Sequence, residues 1–314
     1  MRRYQMPSDH PNKSNTAEDS HRLKAYPVLR VLRLHQWVKN ALVFAPLVLG
    51  GRSGDTRAWL DALIGFVAFG LTASATYIIN DIWDRDHDRT DWVKRTRPVA
   101  SGSLSIRSGL IVAACTLSLG LAIGYLLGSA AFAILMTYLV VTLAYTLWLK
   151  TQPVVDVLII AGLFTLRLGF GTALAGVRWS PWLFVLSMCT FLSLALAKRF
   201  AEVSRGATKN CPVPGRGYLA GDIPFIRGLG LASATAAVLI MIISMIEEAF
   251  PANVYDHPYL LWAVPSLLFL FFSRIWLAAE RGLLSGDPVT FALTDRTCLV
   301  YAGLLGVLVV VALS

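Results

Sequence analysis

Charged residues are scarce in this chain. Asp, Glu, Lys and Arg together make up 15% of the 314 residues, whereas they make up about 25% of an ordinary soluble domain. Cysteine is scarce too: four residues stand at scattered positions, without a CxxC pair or a Cys/His spacing typical of a metal site. The sequence therefore supports neither a zinc site nor a disulfide framework.

The first 27 residues contain no apolar segment and are rich in Ser, Asn, His and charged side chains. A secretory signal peptide needs an apolar segment after its basic residues, so this composition does not favour one. A segment with so little apolar surface to bury is typical of disorder. We expect a disordered cytoplasmic tail over residues 1–27.

Long apolar runs account for the missing charge. Eight of them come close to the roughly 20 residues that cross a bilayer core, some only with flanking residues added. They are Trp59–Ile79, Leu110–Leu127, Ala130–Trp148, Val154–Val177, Pro181–Ala197, Leu229–Ile246, Tyr259–Phe272 and Cys298–Leu313. A shorter run, Ala41–Gly51, follows a basic stretch. Counting it, the sequence predicts an all-α integral membrane protein with about nine transmembrane helices in residues 28–314.

The basic residues are distributed unevenly between the two ends of these helices. We place 24 of the 28 Lys and Arg on one face, with Arg52, Arg57 and Arg178 on the other and Arg167 inside a span. Because loops rich in Lys and Arg stay in the cytoplasm, we expect the N-terminus and the large loops there and the C-terminus outside. The net charge is +9, and the basic residues that produce it border the spans. This arrangement favours contacts with the membrane surface and with phosphates over contacts with nucleic acid.

Aspartates are concentrated in Asn80–Asp88, directly after an apolar run. If the helix continues through this segment, about 100° per residue places Asn80, Asp81, Asp84 and Asp88 on one stripe, with Asp86 pointing away. Mg²⁺ binds through one or two carboxylates together with substrate phosphate oxygens, which suits such a stripe. The sequence predicts Asp81, Asp84 and Asp88 as magnesium ligands; the alternative is a solvated acidic helix end.

Basic residues follow at once. Lys94, Arg95 and Arg97 stand beside the aspartates, and a polyphosphate needs both metal and cations to share its charge. By itself such a stretch is more often a membrane anchor of the positive-inside kind. Its position next to the acidic stripe favours phosphate binding.

A second group begins at Tyr145 and contains Lys150 and Asp156. Arg167 lies eleven residues beyond Asp156, about three helical turns or roughly 16 Å deeper on the same face. An arginine within a span is costly unless paired, so it marks a functional site or, alternatively, a structural ion pair or a side chain that snorkels to the membrane surface. Lys198, Arg199 and Glu202 form a third group at the cytoplasmic end of the sixth span, where an interfacial anchor is an equal alternative.

Asn80–Asp88 resembles the NDxxDxxxD signature of the UbiA superfamily of intramembrane transferases, and Tyr145–Asp156 resembles its second conserved region. The resemblance covers residues 28–314 and implies a UbiA-like helical bundle. Several stretches are similar to the branch that transfers phosphoribose to decaprenyl phosphate: Gln36–Asn40, Lys94–Pro98, Lys150–Asp156, Lys198–Glu202 and Ala292–Arg296.

This resemblance implies Mg²⁺-dependent transfer of 5-phosphoribose from phosphoribosyl diphosphate to a polyprenyl (decaprenyl-type) phosphate, releasing diphosphate, at the cytoplasmic face of a bacterial inner membrane. It allows a homo-oligomer and implies no nucleic-acid partner. Asp81, Asp84 and Asp88 would be catalytic through the metal. The implied substrate-binding residues are Lys39, Asn80, Lys94, Arg95, Arg97, Tyr145, Lys150, Asp156, Arg167, Lys198, Arg199 and Glu202.

One position departs from the superfamily pattern. Members that use prenyl diphosphates usually carry a second motif, DxxxD, but the residue four after Asp156 is Ile160. This counts against the main alternative, a prenyltransferase acting on an aromatic or other acceptor. A transporter is a further alternative, although the charges cluster at one face and the sequence shows no clear internal repeat.

The predicted topology can be tested at Ser314. A single cysteine introduced there, on a background lacking the native cysteines, should react with an impermeant thiol reagent in intact cells, because nine crossings place the C-terminus outside. Labelling of folded protein only after lysis would contradict the count of nine.

Overall fold

The computed structural model describes residues 28–91, 94–208, 217–252, 254–284 and 286–313, and this part of the chain contains helices and no strand. The predicted tail, residues 1–27, lies outside it. A 3₁₀ helix, Leu34–Phe44, comes first. The α-helices are α1 (Ala45–Leu49), α2 (Thr56–Trp83), α3 (Arg85–Thr90), α4 (Ile106–Leu126), α5 (Ser129–Leu147), α6 (Val155–Ala175), α7 (Pro181–Thr208), α8 (Ile223–Ser244), α9 (Ala263–Glu280), α10 (Pro288–Thr294) and α11 (Arg296–Leu313).

Most of these helices can cross a membrane. Among the described residues, seven are long and apolar enough, and α10 with α11 makes an eighth if this pair, bent by 79°, counts as one span. The prediction of an all-α, multi-pass membrane protein is confirmed. The eight long runs of the sequence correspond to these eight spans.

The ninth predicted span, Ala41–Gly51, is longer than expected, because its helical structure begins at Leu34. Arg33 contacts Asp81 near the C-terminal end of α2, whereas a Cβ at Gly50 would lie 2.7 Å from Val177, which follows α6. The 3₁₀ helix and α1 therefore run between opposite ends of the bundle. With a rise of about 2.0 Å per residue for the 3₁₀ part and about 1.5 Å for α1 they extend about 30 Å, the thickness of a bilayer core.

The C-terminal end of α11 lies opposite the aspartate-rich segment. The His257 amide, before α9, donates a hydrogen bond of 3.1 Å to the Ala312 carbonyl. At this same end, a Cβ at Gly51 would lie 3.2 Å from Val254. The first and last helices of the described part of the chain thus begin and end at opposite ends of the bundle, in the way that nine crossings require.

Close contacts fix the 3₁₀ helix against α2 and α6. The Trp37 indole donates to the Ser74 hydroxyl at 3.0 Å, and that hydroxyl donates to the Leu32 carbonyl at 2.7 Å. At Gly171 of α6, a Cβ would lie 2.1 Å from the Val43 carbonyl oxygen. Small residues allow such backbone approach between helices in membranes, and here they position the segment that carries Lys39 and Asn40.

This packing predicts opposite effects for two glycines of α6. Gly171→Ala should destabilise the protein by about 1–3 kcal/mol, because its methyl group must displace the Val43 backbone. Gly162→Ala is the matched control: no atom lies within 4 Å of its Cβ position, and alanine favours a helix over glycine. Thermal unfolding of the purified variants in detergent measures both, and equal melting temperatures would contradict the packing argument.

Candidate active site

The predicted continuous helix is interrupted at the second motif aspartate. Helix α2 ends at Trp83, and Asp84 leaves helical geometry with φ −88° and ψ 6° before α3 begins. The backbone hydrogen bonds nevertheless continue, from the Asp84 amide to the Asn80 carbonyl at 2.9 Å and from the Asp88 amide to the Asp84 carbonyl at 2.8 Å. The prediction of one unbroken helix is wrong at this residue.

The expected division of the aspartates holds despite this break. Asp81 and Asp88 are 1% and 2% exposed, whereas the Asp86 side chain is 88% exposed. Asp84 lies between these extremes, with 26% of its side chain exposed. The acids that face the interior are therefore those that the motif spacing grouped together.

Two arginines hold the buried acids. Arg97 Nη1 lies 3.1 Å from Asp81 Oδ1 and 2.6 Å from Asp88 Oδ2, and Arg33 Nη2 lies 2.5 Å from the same Asp81 oxygen. Burial raises the pKa of Asp88, and the nearby charge of Arg97 opposes this shift. Arg33 has a left-handed backbone conformation, with φ 51°. The sequence did not predict Arg33 as a site residue; its only indication was its place in the basic stretch before Lys39.

The other predicted residues near this motif are placed differently. The Lys150 ammonium group forms an ion pair with Asp84. Lys94 and Arg95 are exposed, and Lys94 lies 3.8 Å from Asp91. Asn80 and Tyr145 are half-buried near the ends of their helices, α2 and α5. Arg97 and Lys150 thus form ion pairs with the motif aspartates, whereas Lys94 and Arg95 lie exposed beside them.

Asp156 is fully buried and belongs to a separate network. Its carboxylate accepts a hydrogen bond from the Tyr218 hydroxyl at 2.6 Å and lies 2.9 Å from Arg199 Nη2, while Arg199 also pairs with Glu202. Burial, together with the hydrogen bond to Asp156, raises the pKa of Tyr218, so this phenol remains a proton donor. A role for Asp156, Arg199 and Glu202 in substrate binding stays a prediction. No spacing in the sequence signalled Tyr218.

Arg167 lies buried among aromatic rings. Its guanidinium donates to the Asn40 side-chain oxygen at 2.9 Å and to the Leu163 carbonyl at 2.6 Å, and it lies 5.1–5.2 Å from the ring centroids of Phe69, Tyr138 and Phe164. Within the described ranges no carboxylate pairs with it. The structural ion pair considered for this residue is therefore not formed there.

Lys39 and Lys198 approach a common acid. Lys39 pairs with Asp287, whose carboxylate also caps α10 by accepting from the Val289 amide at 2.9 Å. Lys198 interacts electrostatically with both Lys39 and Asp287. Burial alone would raise the pKa of Asp287, but the charges of the two lysines, together with hydrogen bonds from Lys39 and the Val289 amide, lower it. No motif in the sequence singles out Asp287 as a partner of these lysines.

The aspartate-rich cluster fits a divalent cation by its donor chemistry. The second Asp81 oxygen, Oδ2, is buried and has no hydrogen-bond partner, and the remaining contacts of the motif acids are with cationic side chains. In the described ranges no three His, Cys, Asp or Glu side chains are gathered closely enough to hold a metal. A divalent ion bound here would neutralise the carboxylates that now pair with Arg33, Arg97 and Lys150.

Apolar spans around a charged interior define a multi-pass membrane protein with an ionic site inside the bundle. The chain belongs to the UbiA prenyltransferase family, whose model matches residues 41–285. This confirms the resemblance drawn from the motifs, and membership in a family of enzymes favours catalysis over the transporter alternative.

The chain is also similar to individual relatives and to solved structures. The chain is 42% identical over 281 residues to the protein y4nM of Sinorhizobium fredii, covering 89% of this chain but 54% of that relative's length. It is 30% identical over 275 residues to the decaprenyl-phosphate phosphoribosyltransferase of Mycobacterium tuberculosis, covering 86% and 88% of the two chains. A solved UbiA homolog from Archaeoglobus fulgidus, bound to DMAPP and Mg²⁺, shares the fold with a TM-score of 0.67, at 15% identity over 91% of this chain and 98% of that one.

The contrasting exposure of the aspartates predicts a graded effect of neutralising them. Asp81→Asn and Asp84→Asn should reduce the transferase rate by on the order of 10²-fold or more, since each removes a predicted ligand of the Mg²⁺ that would stabilise the developing negative charge. Asp86→Asn should leave the rate close to that of the wild type. Steady-state rates of the purified variants with added Mg²⁺ make the comparison, and an equal loss for Asp86→Asn would contradict the assignment of the inward-facing acids.

Proposed function

We propose that this chain transfers 5-phosphoribose from phosphoribosyl diphosphate to a polyprenyl phosphate of the decaprenyl type, with release of diphosphate. The observation that carries the proposal is the state of the second motif. Asp156 pairs with Arg199 and accepts a hydrogen bond from Tyr218, and Ile160, at the place of the second acid, packs against a hydrophobic cluster. The second motif therefore has one carboxylate where the DxxxD pattern of prenyl-diphosphate enzymes has two, whereas the first motif has all three of its acids. The similarity to a decaprenyl-phosphate phosphoribosyltransferase supports the same activity.

The donor would bind at the aspartate-rich cluster. Asp81, Asp84 and Asp88 are the residues that would hold Mg²⁺, which when bound neutralises charge on the leaving diphosphate. Arg33, Arg97 and Lys150 already reach these acids, so their donors are placed to bind phosphate oxygens beside the acids. The exposed Lys94 and Arg95 add positive charge at the approach to the site.

The reaction needs no general base from the protein. A phosphate monoester has a second pKa of about 6 and is largely dianionic at neutral pH. Its oxygen attacks C1 of the ribose while the bond from C1 to the diphosphate oxygen breaks, through a transition state of oxocarbenium character as in glycoside chemistry. The chain's own contribution is to orient the two anions and to exclude water from C1.

The site would face the cytoplasm of a bacterial inner membrane. The motif aspartates lie at the end of the bundle where the sequence places most of its basic residues, and such residues stay on the cytoplasmic side. A water-soluble donor can reach this end directly. The lipid acceptor enters from the bilayer between helices, which separates the routes of the two substrates.

Binding isotherms separate this activity from prenyl transfer. Phosphoribosyl diphosphate should bind in the presence of Mg²⁺ and lose affinity in Asp84→Asn, while that variant retains most of its affinity for polyprenyl phosphate. Asp86→Asn serves as the matched control for the change of charge. If the protein ignores phosphoribosyl diphosphate but consumes a prenyl diphosphate with an aromatic acceptor, the proposal fails in favour of a prenyltransferase.

A further inference from the structure

A cluster of charged side chains lies apart from the aspartate-rich motif. It consists of Lys39 from the 3₁₀ helix, Lys198 from α7 and Asp287 at the start of α10. Lys39 pairs with Asp287, and both side chains are largely buried, with 12% and 23% of their surface exposed. Lys198 interacts electrostatically with both. We refer to these three residues as the lysine cluster.

The lysine cluster carries more positive than negative charge. Within the described part of the chain, the Lys198 ammonium group has no hydrogen bond or ion pair with another residue. Lys198 also interacts electrostatically with Glu202, an acid that pairs with Arg199. The ammonium groups of Lys39 and Lys198 both lie near Asp287, and in surroundings where water screens poorly they repel each other unless a further anion approaches.

A neighbouring amide provides an independent indication of a missing acceptor. The side chain of Asn40 is 1% exposed, and its Nδ2 group has no hydrogen-bond partner. Its oxygen already accepts from Arg167. Buried donors without acceptors are rare in folded proteins, so this group calls for an acceptor from outside the chain, such as a water, an ion or a ligand. Two ammonium groups and one amide are donors that suit phosphate oxygens.

The same place also offers apolar surface. The Lys39 ammonium group lies 6.0 Å from the centroid of the Phe164 ring, and this ring stacks on Phe191 with centroids 4.4 Å apart and planes inclined by 8°. Both rings are half-buried, so part of each surface remains open to contact. A ligand with an anionic head and an apolar chain would use both features.

We propose that Lys39 and Lys198 bind the phosphate monoester of the lipid acceptor, with Asp287 as the counter-ion that positions the lysines when no lipid is bound. This inference rests on the proposed function, for which it names the acceptor site. The lysine cluster has a single carboxylate and therefore suits a phosphate that needs no metal. The donor diphosphate, in contrast, is assigned to the acids of the aspartate-rich motif.

Kinetic constants for both substrates test the assignment. The variants are Lys39→Gln and Lys198→Gln, with Arg281→Gln as a control that removes an exposed positive charge at the end of α9. Each lysine variant should raise the KM for polyprenyl phosphate roughly tenfold or more, the effect of losing a charge-assisted contact. The KM for phosphoribosyl diphosphate should stay unchanged, and Arg281→Gln should change neither constant.

Direct binding distinguishes the phosphate from the prenyl chain. Polyprenyl phosphate should bind less tightly to both lysine variants, whereas the uncharged polyprenol should bind them as it binds the wild type. Lys39→Arg and Lys198→Arg keep the charge and should retain measurable affinity for the phosphate. They also carry the test if a glutamine variant fails to fold, which a melting curve reveals. Asp287→Asn, which can still cap α10, should bind the lipid phosphate at least as tightly as the wild type.

The outcomes separate this inference from the proposed function. If the lysine variants raise the KM for phosphoribosyl diphosphate instead, the cluster holds the sugar's 5-phosphate and the inference is overturned. Unchanged affinity for polyprenyl phosphate in both variants overturns it as well. If the wild type binds polyprenyl phosphate through these lysines but transfers no phosphoribose, the lipid site stands and the proposed function fails.

Discussion

Carboxylates inside a membrane protein need partners, because the bilayer provides no water to solvate them. Asp81, Asp88 and Asp156 are each at most 2% exposed, and each contacts an arginine from a different part of the chain. Arg33 precedes the 3₁₀ helix, Arg97 follows α3 and Arg199 belongs to α7. The ion pairs therefore join distant segments at the ends of α2 and α6, and the shape of the charged interior follows from this pairing.

The segment from Arg33 to Phe44 connects the charged groups to one another. Arg33 reaches the aspartate-rich motif, Lys39 reaches Asp287, and Asn40 reaches Arg167. Its path is fixed by the bond from Trp37 to Ser74 and by the close approach to Gly171 described above. A shift of this segment would move all three side chains together. The packing of Trp37 and of Gly171 therefore helps to set the positions of charged groups that lie elsewhere along the segment.

Hydrophobic length and charge patterns predicted the spans because these properties are local to each helix. The run beginning at Pro181, for instance, starts where α7 starts. The break at Asp84 could not be predicted from spacing, since it is a change in one residue's backbone angles. The pairing of Lys39 with Asp287 joins residues 248 positions apart and arises only from the packing of three elements. Arg33 and Tyr218 escaped notice for the same reason: their roles depend on partners that no short motif contains.

Arg97 bridges Asp81 and Asp88. Asp81 belongs to the last turn of α2 and Asp88 to α3, so one guanidinium joins the two helices across the break at Asp84. The same side chain therefore does two things: it neutralises buried acids, and it fixes the angle at which the chain leaves the membrane-spanning helix. A substitution at Arg97 would loosen this corner as well as unbalance its charge.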